Sequence, residues 1–125
     1  MKIRIARHTD RFEQTVSFYR DRIGLEQTGS FEDHAGYDGV FLEIPGANAE
    51  LELTSGGEHT APEPHPESVI VLYCETAEER NAIITRIGQQ PVVPANPYWV
   101  RNAIAFADPD GFQLLLVART RPASP

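Results

Sequence analysis

The stretch Ile104-Ala105-Phe106-Ala107-Asp108-Pro109-Asp110-Gly111-Phe112-Gln113-Leu114-Leu115-Leu116-Val117 decides the fold. Two apolar runs flank Asp-Pro-Asp-Gly. Pro109 presets the first corner of a turn, Asp108 can bond its own backbone, and Gly111 closes the turn without steric cost. The second run is dense in Leu and Val and bounded by turn residues, so it predicts a strand buried on both faces.

Working outward, the same order of signals occurs twice. In the first half, residues 2–7 alternate as a half-buried strand with Ile3 and Ile5 on one side. Asp10 and Glu13 have capping-box spacing. Phe12, Val16, Tyr19 and Ile23 form one apolar stripe, which predicts a helix over 11–23 with Gly24 as its left-handed end. Short strands follow over 27–32, 40–44 and 50–54, with a glycine-bearing turn over 34–39. In the second half, residues 69–74 form an apolar strand ending at Cys74. Thr76 and Glu79 make a capping box, and Ile83, Ile84 and Ile87 supply the stripe of a helix over 77–87, closed by Gly88. The segment 91–94 is a short edge piece, because neither of its prolines can donate to a ladder. Residues 96–99 read as a loop before the closing hairpin.

Each half therefore reads β-α-β-β-β: module 1 over 2–54, a Pro- and Gly-rich linker over 55–67, module 2 over 68–118, and a loose tail over 119–125. Each unit alone is too small to bury a sheet face well. The ordered pieces Phe18-Tyr19-Arg20-Asp21 with Ile23-Gly24-Leu25, Leu51-Glu52-Leu53, and the closing hairpin resemble the vicinal oxygen chelate superfamily. That superfamily holds glyoxalase I, extradiol dioxygenases and bleomycin-resistance proteins, and the likeness spans nearly the whole chain. It implies an α+β fold of paired βαβββ modules around a central cavity. It also implies a homodimer, since many relatives build the cavity across a dimer interface.

Composition narrows the function classes. The 125 residues carry a net charge of −7, which argues against a nucleic-acid or anionic-membrane partner. A single cysteine excludes an internal disulfide, and Cys74 reads as a small buried hydrophobe. No run reaches the length of a membrane span, and the first residues lack the apolar core of a signal peptide, so a cytoplasmic location is expected.

Metal-dependent members of the superfamily set two ligands in each half, on the first strand and the last. The resemblance carries those positions to Ile3 or Arg4, to Glu52, to the neighbourhood of Ile70, and to Leu115. Only Glu52 has a ligating side chain. It is either a metal ligand, a general base or hydrogen-bond acceptor for substrate, or a paired strand carboxylate. A divalent metal as cofactor would need help from His8, His34 or Asp38. His34, Tyr37 and Asp38 cluster on one expected turn, where a His beside a carboxylate suits acid–base work, or where the residues merely make the turn. Tyr98 and Trp99 can stack on a flat or cationic ligand or cover the core end. Arg101 could pair with an anionic group, and Gln113, Leu115 and Val117 are expected on the cavity side. His59 and His65 have no metal spacing. Two function classes result: a protein that binds a small molecule without a complete metal site, or a divalent-metal-dependent lyase or dioxygenase.

Overall fold

The computed structural model describes residues 1–119, so the expected tail lies, beyond Arg119, outside the described residues. The chain divides into two compact units, residues 1–63 and residues 64 onward.

The first unit holds β1 (Ile3–His8), α1 (Phe12–Ser17), β2 (Glu26–His34), β3 (Tyr37–Glu43) and β4 (Ala49–Gly56). Its sheet has the order β1-β4-β3-β2, with β1 parallel to β4 and the other pairs antiparallel. The helix expected over 11–23 is present but changes type: α1 gives way to a π-helical stretch, Phe18–Ile23. Val16, Phe18, Tyr19 and Ile23 are buried, and Gly24 closes the element at φ 98°. The expected Asp10–Glu13 capping box does not form. Arg11 occupies the N-cap without a side-chain cap bond, and the Thr9 hydroxyl instead accepts from Arg11 N at 3.0 Å. Thr9 and Thr15 are both buried and their hydroxyls pair at 3.2 Å, which explains why this end prefers Thr9 to Asp10.

Strand alternation sorts the sheet. Val40, Leu42, Leu51 and Leu53 are buried on the face that α1 covers at β4. Truncating one such fully buried leucine to alanine typically costs about 2–5 kcal/mol. The opposite face carries Glu50, Glu52 and Thr54 on β4, with Arg4, Ala6 and His8 beside them on β1. The expected burial of Ile3 and Ile5 fails: both are 55% exposed, because β1 is the sheet edge and α1 packs over β4.

The second unit holds β5 (Val69–Cys74), α2 (Ala77–Ile87), α3 (Pro97–Asn102), β6 (Ile104–Ala107) and β7 (Gln113–Ala118). The sheet order β5-β7-β6 repeats the parallel-then-antiparallel plan of β1-β4-β3. The counterpart of β2 shrinks to one bridge, Val92 to Ala105, as the flanking prolines dictate. Thr76 caps α2 by accepting from Glu79 N at 3.0 Å, and the Glu79 carboxylate accepts from Glu75 N at 2.7 Å. Ile83 and Ile87 are buried, Gly88 closes the helix at φ 64°, and Cys74 is buried and free.

The closing hairpin forms as read. The buried Asp108 carboxylate accepts from Asp110 N at 2.9 Å and from Phe112 N at 3.0 Å, which ties the turn from inside. Leu114, Leu115 and Leu116 have no exposed surface, so β7 is buried on both faces. Among the described residues no helix is long and apolar enough to cross a membrane.

Candidate functional site

The open face of the first sheet is built by register. Parallel pairing sets Arg4 opposite Glu50, Ala6 opposite Glu52 and His8 opposite Thr54. Antiparallel pairing adds Phe41 opposite Glu52 and Gly39 opposite Thr54, and β2 brings Phe31 opposite Gly39 and His34 opposite Tyr37. Cross-strand partners share a face. His8, Tyr37, His34, Phe31 and Phe41 therefore line one side of the sheet, as a His8–Tyr37 pair and a His34–Phe31–Phe41 run. Successive centroids lie 6.2 Å apart for His8–Tyr37, 6.1 Å for Phe31–His34 and 5.8 Å for Phe31–Phe41.

These rings lie down on the sheet because glycine gives them room. A Cβ at Gly39 would come within 2.2 Å of the Phe31 ring, and one at Gly57 within 2.6 Å of the Tyr37 ring. At the far end the Arg4 guanidinium covers Phe41, 4.5 Å from its centroid. Arg4 Nε donates to Glu50 Oε1 at 2.6 Å, Lys2 Nζ approaches Glu50 Oε2 at 3.2 Å, and Arg4 Nη1 stands 3.8 Å from Glu52 Oε1. Glu50 is 5% exposed, and the hydrogen bond from Arg4 is the main cause holding its carboxyl below the ordinary value.

Glu52 is the less committed carboxylate. It is 17% exposed and accepts no hydrogen bond among the described residues, its one ion pair being the long contact with Arg4. The first-strand ligand position thus resolves to Arg4, a cation where metal-dependent relatives need a donor atom.

The expected cluster of His34, Tyr37 and Asp38 is redistributed. The chain turns on Ala35 and Gly36, and the three residues sit on β2 and β3, so they do not share a turn. His34 and Tyr37 face one another on the open side. Asp38 alternates to the opposite face, with Val40 and Leu42, and its Oδ1 accepts from Asp33 N at 2.8 Å. That bond holds the hairpin where Asp33 and Ala35 adopt positive φ, so Asp38 serves the turn and makes no hydrogen bond to His34. His8, expected beyond its strand, is the last residue of β1, and its Nδ1 lies 3.1 Å from the Thr54 hydroxyl.

In the second unit, Tyr98 and Trp99 lie on a helix and not on the expected loop, and Arg101 lies on the same helix. Asn96 caps α3 by accepting from Tyr98 N at 2.9 Å, and Pro97 takes the first helical position. Tyr98 is 53% exposed and meets Trp99 edge-on at 4.9 Å, and Arg101 is exposed. Gln113, Leu115 and Val117 alternate to one face of β7, with Val71 and Ala105 flanking Leu115. Ile70 pairs with Leu114 and so alternates to the other face, which leaves the apolar Val69 and Val71 on the Leu115 side of β5. Leu115 is fully buried, and Gln113 Oε1 is buried without a hydrogen-bond partner.

Glu50, Phe31 and Phe41 were not singled out by sequence reasoning, and Arg4 entered only as one of two residues at a family ligand position. The signal that could have found Arg4 and Glu50 is the complementary pair Lys2-x-Arg4 and Glu50-x-Glu52, which suits adjacent strands. Among the described residues no three His, Cys, Asp or Glu side chains lie close enough to hold a metal ion together.

Comparison with known proteins places these elements in a family context. Residues 3–54 match the YycE-like N-terminal domain and residues 67–118 the YycE-like C-terminal domain. An uncharacterized protein YycE from Bacillus subtilis (strain 168) is 39% identical over 120 residues, which cover 93% of this chain and 86% of that protein. A crystal structure of a YycE protein of unknown function from Bacillus subtilis superposes with a TM-score of 0.87 at 37% identity, covering 99% of this chain and 93% of that one. The fold alone is shared with Leishmania major glyoxalase I, at a TM-score of 0.69 and 19% identity, over 94% of this chain and 86% of that one.

Proposed function

The chain belongs to the YycE-like family of the vicinal oxygen chelate superfamily, and from that premise we propose that it binds a small molecule without a complete metal site. The observation that carries this reading is Glu52. Its carboxylate sits beside a row of rings and is left without a hydrogen bond among the described residues. A partly buried carboxylate in that state is a ready acceptor for a ligand N–H or O–H. Phe31, Tyr37 and His34 offer flat surface beside it, suited to a ligand with an apolar planar body. In the second unit, Tyr98, Trp99 and Arg101 present a further aromatic and cationic edge, while Leu115 keeps its position apolar.

The donor set does not fit the rival class, a metal-dependent lyase or dioxygenase. Catalytic sites of that kind use three protein ligands, whereas the superfamily positions here hold Arg4, Glu52 and Leu115, with only Val69 and Val71 on that side of β5. The proposal includes a homodimer and leaves nucleic acid and membrane aside, in keeping with the net charge of −7.

The test is a fragment titration followed by amide NMR on the full chain, comparing benzylamine with benzyl alcohol and benzoate. Benzylamine should shift residues around Glu52, Phe31 and Phe41, and Glu52→Gln should weaken it about tenfold, as expected for a lost charge-assisted hydrogen bond. Equal response to benzoate, or no shift on this face with any of the three, would refute the reading.

A further inference from the structure

Two polar levels follow one another on the open face of the first sheet. Parallel register sets Ala6 beside Glu52, and two residues further along β1 it sets His8 beside Thr54. Two residues of strand span about 7 Å. Ala6 is exposed and is the smallest of the three β1 side chains on this face, so the floor between Arg4 and His8 is low. A ligand donor that reaches Glu52 over Ala6 has His8 at the other end of its path. The Phe31 ring lies over Gly39, on the same level as Thr54, and gives that path an apolar wall.

His8 is half-buried and held in place. Its Nδ1 lies 3.1 Å from the Thr54 hydroxyl, and its ring meets the Tyr37 ring edge-on at 6.2 Å. Thr9 N donates to Thr54 O at 2.9 Å, so β1 stays tied to β4 beyond His8. With Nδ1 turned to Thr54, Nε2 is the ring nitrogen that a ligand meets. In the neutral ring, Nε2 accepts when Nδ1–H donates to Thr54, and donates when the Thr54 hydroxyl does. A ligand hydroxyl answers both cases, because it is donor and acceptor at once.

We propose that His8 is a specificity-determining residue of this face, and that it selects a hydroxyl carried at the opposite end of a planar ring from the donor that Glu52 accepts. This rests on the small-molecule reading above and adds the chemistry of the ligand's other end. Glu52 supplies the charged contact, and His8 supplies an oriented hydrogen bond one level further along the strands. The ligand class is an aromatic amine that bears a hydroxyl across the ring from its amine arm. Strand β1 fixes the imidazole, since a side chain on a strand is held more precisely than one on a loop.

The experiment uses the full chain and three probes: benzylamine, para-hydroxybenzylamine and para-methylbenzylamine. The last two are close in size and differ in hydrogen bonding. Binding is read by amide NMR, with the ring nitrogens of His8 followed in the same titrations. The hydroxylated probe should bind roughly fivefold more tightly than the methylated one, the gain of one hydrogen bond, and it alone should move the His8 Nε2 resonance. His8→Phe keeps a ring beside Tyr37 and removes both nitrogens, so it should erase the preference while benzylamine still binds. If that variant does not fold, the probe pair and the Nε2 resonance on the parent chain decide the matter. An Nε2 resonance that ignores the hydroxyl, or a preference that survives in His8→Phe, would overturn the proposal. Shifts around Glu52 with benzylamine, alongside equal affinities for the two substituted probes, would overturn it while leaving the small-molecule reading standing. Silence of this face with every probe would remove the two together.

Discussion

Arg4 Nε donates to Glu50 Oε1 at 2.6 Å across the parallel pair of β1 and β4, on the face of the sheet opposite α1. The contact binds an edge strand to its neighbour where Ile3 and Ile5 give β1 little apolar anchorage. Because Arg4 and Lys2 both favour the charged form, the Glu50 carboxyl titrates below its ordinary value of 4.5 in the folded chain. A carboxylate with a depressed folded pKa contributes stability that is complete above the unfolded value and lost as pH falls through the folded one. Thermal melts between pH 3 and 7 should therefore show a fall below about pH 4.5 that is shallower in Glu50→Gln. The variant should also be less stable than the parent at pH 7. Parallel acid limbs in the two proteins would remove Glu50 from this role.

Phe31 lies on Gly39 so closely that a Cβ would sit 2.2 Å from two of its ring atoms. Gly39→Ala must push the ring off the sheet, an overpacking cost of about 1–3 kcal/mol. Phe31→Leu should relieve most of it, so the double variant should be more stable than the two single losses added together. Denaturant melts of the four proteins measure the coupling. Strict additivity would mean that the ring is free to move aside without cost.

Helix α3 depends on its cap. Asn96→Ala should cost about 1 kcal/mol, and because Trp99 is the only tryptophan, its emission should report the loosening of this segment. Asn96→Asp should retain most of the stability. An unchanged melt in Asn96→Ala would show that the helix is held by its packing alone.

Helix α2 and the closing hairpin were readable in the sequence because local chemistry and the final structure agree there: Thr76 and Glu79 cap, Gly88 ends, Asp108 ties the turn. The misreadings have local causes too. Asp10 has cap chemistry, but Arg11 takes the N-cap position and Thr9, held by its buried bond to Thr15, accepts from Arg11 N. Asn96-Pro97 signals a helix start as well as a turn, and the aromatic pair after it has modest helix propensity. The hairpin over 34–37 places an alanine at φ 55°, a conformation that its residue type does not advertise. The candidate site was the least readable part. Glu52 could be reached through a family position, but the Arg4–Glu50 pair exists only once β1 and β4 are adjacent and in register.

That register bears on metal binding. On the first sheet the superfamily positions hold Arg4 and Glu52, and on the second Leu115 together with the side of β5 that carries Val69 and Val71. One carboxylate cannot hold Zn²⁺, Ni²⁺ or Fe²⁺ tightly, and a guanidinium 3.8 Å away repels the ion further. Glu50 cannot step in without leaving Arg4 and Lys2. His8 lies two residues further along β1 than the Glu52 level, where its Nδ1 meets Thr54, and Asp38 faces away. Elemental analysis of the purified chain should find no stoichiometric divalent metal, and titration with Zn²⁺, Ni²⁺ or Mn²⁺ should give weak binding that Glu52→Ala barely alters. Arg4→Ala should bind these ions more tightly than the parent, since it removes the competing cation from between two carboxylates. One tightly held ion per chain, lost on Glu52→Ala, would make the metal-dependent enzyme the leading reading.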